Sequence, residues 1–183
     1  MIYHLSLQFV GIVCGLLLVG VSALALFGAG KIWPALARFP RSKIAGIILL
    51  TVGAIWSFSL VATMEMGEFS NFRRMLMFGL PIAYVLVLKF VDEFLAVRAL
   101  GILCLLAAEP LLDAAFLRYE SSRLLITSFA YALIIAGLFW VTMPYLLRDQ
   151  ISWSTRSAAR WKTLAGLGLL YGAAVLVCAF TRF

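Results

Sequence analysis

Six long apolar runs constrain this chain more than any other feature of its sequence. A helix needs about 20 mostly apolar residues to cross the hydrocarbon core of a bilayer. The runs are Leu5–Phe27, Ile44–Met64, Met75–Phe90, Ala99–Leu117, Leu124–Leu147 and Thr163–Phe180. They predict an all-α fold, a polytopic bundle of about six transmembrane helices. The segments between the runs are short, so we expect a single integral membrane domain over residues 1–183 and no soluble domain.

The composition excludes the main alternatives to a membrane protein. Of the 183 residues, 64% are hydrophobic and 13% are charged, whereas about a quarter of the residues in a soluble domain are charged. A soluble chain of this length could not bury so much apolar surface in one core. Disordered chains are polar and poor in aromatic residues, so disorder is excluded by the same composition.

The third run is the weakest of the six. Met75–Phe90 reaches only about 24 Å as a helix, at 1.5 Å rise per residue, and Pro81 interrupts it. The helix could extend backwards through Phe72 or forwards through Leu95. The alternative is a re-entrant or half-spanning segment, which would leave five spans and place the two termini on opposite sides of the membrane.

The distribution of Lys and Arg predicts the orientation. With six spans, one side receives ten basic residues: Lys31, Arg38, Arg41, Lys43, Lys89, Arg98, Arg148, Arg156, Arg160 and Lys162. The other side receives five: Arg73, Arg74, Arg118, Arg123 and Arg182. The positive-inside rule then places both termini outside and the two long loops in the cytoplasm of a bacterial-type inner membrane. The first run is expected to be retained, because Met1–His4 lacks the basic start of a signal peptide.

The two long loops combine basic residues with tryptophan, which favours the headgroup region of a bilayer. Pro34 and Pro40 predict that the first of these loops is not one continuous helix. We interpret the basic and aromatic residues as interface anchors, and the lipid bilayer as their partner. The anchors are Trp33, Arg38, Arg41, Lys43, Trp153, Arg156, Arg160, Trp161 and Lys162.

Several classes of function are disfavoured by what the sequence lacks. His4 is the only histidine and lies at the very N-terminus, so a bis-histidine haem, a histidine-based zinc protease helix and a rhomboid-type Ser–His dyad are excluded within one chain. No glycine-rich nucleotide motif occurs, and the three cysteines are scattered through apolar runs. We therefore expect no cofactor, metal or nucleic acid, and we regard an enzyme as less favoured than a transporter or a subunit.

One constellation points to intramembrane chemistry. Glu109, Pro110 and Asp113 lie in the fourth run, with Glu109 near its centre, and a spacing of four places both carboxylates on one helix face. An ionised carboxylate inside the bilayer costs on the order of 3 kcal/mol, so such residues usually mark an ion, proton or substrate path. Pro110 cannot donate a helical hydrogen bond, so it should bend the helix and free a carbonyl near Glu109.

The alternative to an ion, proton or substrate path is a purely structural role for Glu109. Hydroxyl or indole groups on neighbouring helices would then bond its carboxyl group and fix the packing. The candidates are Thr51, Trp56, Ser57, Tyr84, Thr127, Ser128, Tyr131 and Tyr171.

Two functions from different classes follow from these observations. The first is a small transport or ion- and proton-handling protein that acts around Glu109 and Asp113. The second is a non-catalytic subunit or assembly factor of a larger membrane complex, because the chain has few chemistry-capable residues. Other membrane subunits or further copies of the chain are the partners that these two interpretations allow.

Overall fold

The computed structural model describes residues 5–91, 93–120 and 122–181, and of Lys31 the backbone only. This part of the chain forms eight α-helices: α1 Leu7–Phe27, α2 Ala29–Arg38, α3 Lys43–Thr63, α4 Arg73–Phe90, α5 Leu95–Ala115, α6 Arg123–Thr142, α7 Tyr145–Thr155 and α8 Ala158–Thr181. Two 3₁₀ segments, Phe39–Arg41 and Gly67–Phe72, precede α3 and α4. The all-α prediction is confirmed.

Six of these helices are long and apolar enough to cross a membrane: α1, α3, α4 with the 3₁₀ segment before it, α5, α6 and α8. The predicted number of spans is therefore confirmed. The third span covers Gly67–Phe90 and is 24 residues long, so it extends backwards through Phe72. Pro81 lies inside α4 without ending it.

The limits of several spans differ from the predicted ones; the sixth, for example, begins at Ala158 and not at Thr163. The fifth run was predicted to continue to Leu147, but α6 ends at Thr142 and α7 begins at Tyr145. Pro144 explains the break, because the residue before a proline avoids the helical region, and Met143 accordingly has φ −125° and ψ 71°. The fourth run was predicted as Ala99–Leu117, whereas α5 spans Leu95–Ala115.

The local backbone sets both ends of α5. Phe94, directly before the helix, has a left-handed conformation, with φ 55° and ψ 30°. Phe116, directly after it, is extended, and Leu117 has φ 55°. Leu95, Ala96 and Val97 are buried, so the extra first turn of α5 is held by packing that the hydropathy pattern did not show.

The helices form an up-and-down bundle in which α5 is central. It packs against α3 on one side and α6 on the other, and α1 pairs with α8. One buried cluster joins α1, α5, α6 and α8 through Leu7, Val10, Ala108, Leu111, Ala114, Ala115, Ile126, Ala130 and Val175. This cluster lies at the terminal end of the bundle, which we define by the start of α1 and the end of α5.

The opposite end, the basic end, holds the end of α1 and the start of α5. There α2 and α7 contact each other. Val97, Leu147 and Ile151 form a buried cluster at this end, and Leu36 and Phe39 pack against it. The first long loop is a helix followed by a 3₁₀ turn that contains Pro40, so it is not one continuous helix, as Pro40 predicts. Pro34, in contrast, lies inside α2 and does not end it.

A hydrogen bond between hydroxyl groups connects α3 to the peripheral helix α4. The hydroxyl oxygens of Thr51 and Tyr84 are 2.8 Å apart. Since Thr51 donates its own hydroxyl hydrogen to the Ile47 carbonyl oxygen, at 2.7 Å, the Tyr84 hydroxyl is the donor of this bond.

We expect Tyr84→Phe to lower the free energy of unfolding by about 0.6 kcal/mol, the average for an interhelical hydrogen bond in a membrane protein. An SDS unfolding titration of the purified protein, followed by circular dichroism, measures this change. Tyr131→Phe is the matched control, because Tyr131 is 55% exposed on α6. An equal loss in both variants would contradict the assignment of the bond.

Candidate functional site: an acidic groove beside α5

Glu109 and Asp113 lie one turn apart on α5, as their spacing predicts, and α5 continues through Pro110. Their position along the helix differs from the prediction. Glu109 was expected near the centre of its span, but it lies six residues before the last residue of the helix, about 9 Å from its end at 1.5 Å per residue. Asp113 lies only two residues before that end. The pair therefore occupies the terminal end of the helix.

Both carboxylates line one cavity of about 550 Å³ between α5 and α6, open to the surface of the bundle. We call this cavity the acidic groove. Its lining consists of Leu105, Ala108, Glu109, Leu112, Asp113, Phe116 and Ile134. The groove is mostly apolar, and its two charged side chains are the two carboxylates. It is large enough for an ion with water molecules or for a small organic molecule.

A second cavity, of about 430 Å³, lies at the terminal end of the bundle. We call it the terminal cavity. It is lined by Leu5, Ser6, Asp113, Ala114, Phe116, Leu117 and Arg118. Asp113 and Phe116 line both cavities. Asp113 thus lies between the loop after α5 and the deeper carboxylate, Glu109.

The Glu109 carboxylate retains hydrogen-bonding capacity. Its Oε2 is buried and has no hydrogen-bond partner among the described residues. Some of the side chains that were candidates to bond Glu109 instead bond elsewhere. Thr51 bonds Tyr84, while Tyr171 bonds Ser128 and the Leu125 carbonyl oxygen.

Pro110 contributes one further feature to the site. It cannot donate the hydrogen bond that a helical residue makes to the carbonyl four residues earlier, which here belongs to Leu106. Within the described residues, no group of three or more His, Cys, Asp or Glu side chains could hold a metal ion. The chemistry that this site can offer is therefore that of two carboxylates in an apolar groove.

The residues interpreted as interface anchors fall into two groups. Arg38, Arg41, Lys43, Trp153, Arg156, Arg160 and Lys162 are exposed at the basic end. Trp161, in contrast, is buried: its indole N–H donates to the Ala25 carbonyl oxygen at 2.7 Å. Its ring also packs edge to face on that of Trp33, with centroids 5.9 Å apart. Trp161 therefore joins α8 to the end of α1.

Sequence reasoning did not identify the apolar part of the groove. Leu105, Leu112 and Phe116 stand four residues before, three after and seven after Glu109, which is the spacing of one helix face. The sequence therefore contained the pattern from which these three residues could have been identified. Ile134 comes from α6 and could not be identified from the sequence, because the sequence does not show which face of α6 meets α5.

No family model, curated protein or solved structure matches the chain, so a function has to be proposed from these residues.

Proposed function

We propose that this chain is a small ion- or proton-handling transport protein that acts at Glu109 and Asp113. The observation that carries the proposal is the buried Oε2 of Glu109, which has no hydrogen-bond partner among the described residues and belongs to a side chain lining the acidic groove. An ionised carboxylate within a membrane span is costly, on the order of 3 kcal/mol at the centre of the span and less towards its end. A proton or a cation bound in the groove would offset that cost.

The two cavities support a route for the bound ion. A proton or cation would enter the terminal cavity beside Arg118, reach Asp113, and pass to Glu109 one helical turn deeper. Asp113 is suited to the intermediate position because it lines both cavities. In this proposal Asp113 collects the ion near the membrane surface and Glu109 holds it within the bundle. No redox or covalent step is involved.

The membrane and its orientation belong to the same proposal. The basic end would face the cytoplasm of a bacterial-type inner membrane, and both termini would lie outside. This orientation is supported by the ten basic residues at or near that end, against five on the other side. The terminal cavity and Asp113 would then open to the outside.

A flux assay in proteoliposomes tests the proposal. We expect the wild-type protein to carry protons down an imposed potential, detected by a pH-sensitive dye trapped inside the vesicles, or Na⁺ down its gradient. Glu109→Gln removes the ionisable group and preserves the shape of the side chain, so we expect at least a tenfold lower flux. Asp113→Asn should reduce the flux less, because Asp113 lies near the end of the span.

Glu68→Gln is the matched control, because Glu68 is exposed in the 3₁₀ segment before α4 and does not line the groove. We expect it to leave the flux unchanged. The proposal fails if the wild-type protein carries neither protons nor Na⁺. It also fails if Glu109→Gln carries as much as the control variant.

One observation favours the second candidate function, a subunit of a larger membrane complex. Helix α4 has no buried residue, and three of its large apolar side chains, Met75, Phe78 and Ile82, are 60–73% exposed. Such a face suits another membrane protein as well as it suits lipid. Extraction into nanodiscs followed by mass spectrometry tests this candidate: stoichiometric co-purification of another membrane protein supports it, and a chain that runs alone counts against it.

A further inference from the structure

The net charge of the chain is concentrated in two segments. Residues 28–43 hold four basic residues and no acidic one, and residues 143–162 hold four basic residues and Asp149. Together these segments carry a charge of +7, which equals the net charge of the whole chain. The remaining residues therefore sum to zero. The structure brings the two segments together, since α2 and α7 contact each other at the basic end.

The helices of these segments have the form of helices that lie along a membrane surface. Helix α2 has 10 residues and α7 has 11, about 15–17 Å in length, which is half the hydrocarbon thickness. Their apolar sides face the bundle: Leu147 and Ile151 of α7 are buried, and Leu36 of α2 packs against the same cluster. Arg38, Arg148 and Arg156 remain exposed.

Arg156 and Arg160 lie where α7 ends and α8 begins. The Arg160 guanidinium lies 5.1 Å from the ring centroid of Trp153, which is 50% exposed, and Arg156 is exposed between them in sequence. In the described part of the chain, the ion pair at this end is that of Arg148 with Asp149. Neither Arg156 nor Arg160 has a described carboxylate within ion-pair distance. An aromatic ring beside unpaired arginines suits a phosphate group at a membrane surface.

We propose that the surface formed by Trp153, Arg156 and Arg160 binds the headgroup of an anionic phospholipid. Three observations carry the proposal: the charge of +7 in two adjoining segments, the two helices that are too short to span, and arginines without acidic partners. Charge complementarity selects the occupant, because the phosphate of an anionic lipid meets these arginines at the depth where the spanning helices end. A zwitterionic lipid brings no net charge and is expected to bind more weakly.

Native mass spectrometry tests this proposal. The protein in mild detergent is titrated with an equimolar mixture of phosphatidylglycerol and phosphatidylcholine, and the retained lipids are counted. We expect wild type to retain phosphatidylglycerol preferentially. The double variant Arg156→Gln/Arg160→Gln should lower that preference about 25-fold, because each basic side chain near an anionic surface contributes about fivefold.

Two further variants test whether the position and the charge of these arginines cause the lipid preference. Arg118→Gln/Arg123→Gln removes the same charge from the terminal end, and we expect its preference to equal that of wild type. Arg156→Lys/Arg160→Lys keeps the charge, and we expect it to retain most of the preference. The proposal is overturned if wild type retains the two lipids equally, or if the terminal-end variant loses as much preference as the variant of the basic end.

Discussion

Gly101→Ala is expected to lower the free energy of unfolding by about 1–3 kcal/mol, the cost of overpacking a tightly packed site. A Cβ atom at Gly101 would lie 2.9 Å from the Gly137 carbonyl oxygen and 3.2 Å from the Val141 backbone nitrogen. A Cβ atom at Gly137 would in turn lie 2.8 Å from the Gly101 carbonyl oxygen. Backbone atoms cannot rotate away as a side chain can, so α5 and α6 would have to separate.

The separation would weaken a contact on which the fold depends. Within a bilayer, lipid and Leu side chains are equally apolar, so helices associate through close packing of small residues and not through the hydrophobic effect. The double variant Gly101→Ala/Gly137→Ala should cost less than the sum of the two single variants. Once the helices have moved apart for one methyl group, the second has room.

Gly166→Ala is the matched control for this series. It lies on α8, and a Cβ atom there would meet nothing within 4 Å. Because alanine favours a helix over glycine by up to about 1 kcal/mol, we expect Gly166→Ala to be neutral or stabilising. SDS unfolding titrations followed by circular dichroism measure the free energy of unfolding of these four variants and of wild type. The same sign of change at Gly101 and Gly166 would contradict the close approach of α5 and α6.

Trp161→Ala is expected to have a comparable or larger effect, a loss of about 3 kcal/mol, which is typical for removal of a buried aromatic side chain. Trp161 is 9% exposed and packs edge to face on Trp33. Its N–H donates to the carbonyl oxygen of Ala25, in the last turn of α1, where the helix leaves carbonyl groups without donors. Loss of this side chain removes the packing and the hydrogen bond together.

Two variants separate these contributions. Trp161→Phe keeps most of the ring and removes the donor, so we expect a loss of about 1 kcal/mol, the usual net value of a hydrogen bond. Trp153→Ala removes a tryptophan that is 50% exposed and should cost less than Trp161→Ala by more than 1 kcal/mol. Thermal unfolding in detergent, followed by far-UV circular dichroism, measures all three. Equal losses at Trp153 and Trp161 would show that Trp161 does not join α8 to α1.

The candidate site was predicted in part. The residue types and the spacing of four were enough to place Glu109 and Asp113 on one face of a helix, since helical periodicity is a local property. Their position along the helix differs from the predicted one, because a hydropathy pattern does not show that Leu95–Val97 is helical or that the helix ends before Phe116. The interpretation of Trp161 illustrates the same limit. Its sequence context is that of an exposed anchor such as Trp153, yet the structure buries it.

What the sequence determined by itself was the number of spans, the all-α class and the presence of two acidic residues within one span. These follow from length, hydropathy and helical periodicity, which depend on neighbours along the chain. The tertiary structure alone decided that α5 is central, that Gly101 faces Gly137, and that Ile134 of α6 lines the groove of Glu109. When a helix is apolar on every face, its sequence does not show which face contacts another helix, because lipid and protein neighbours have nearly the same polarity. Which helices meet is decided by the close packing of small residues and by the complementary shapes of the helix surfaces across the bundle.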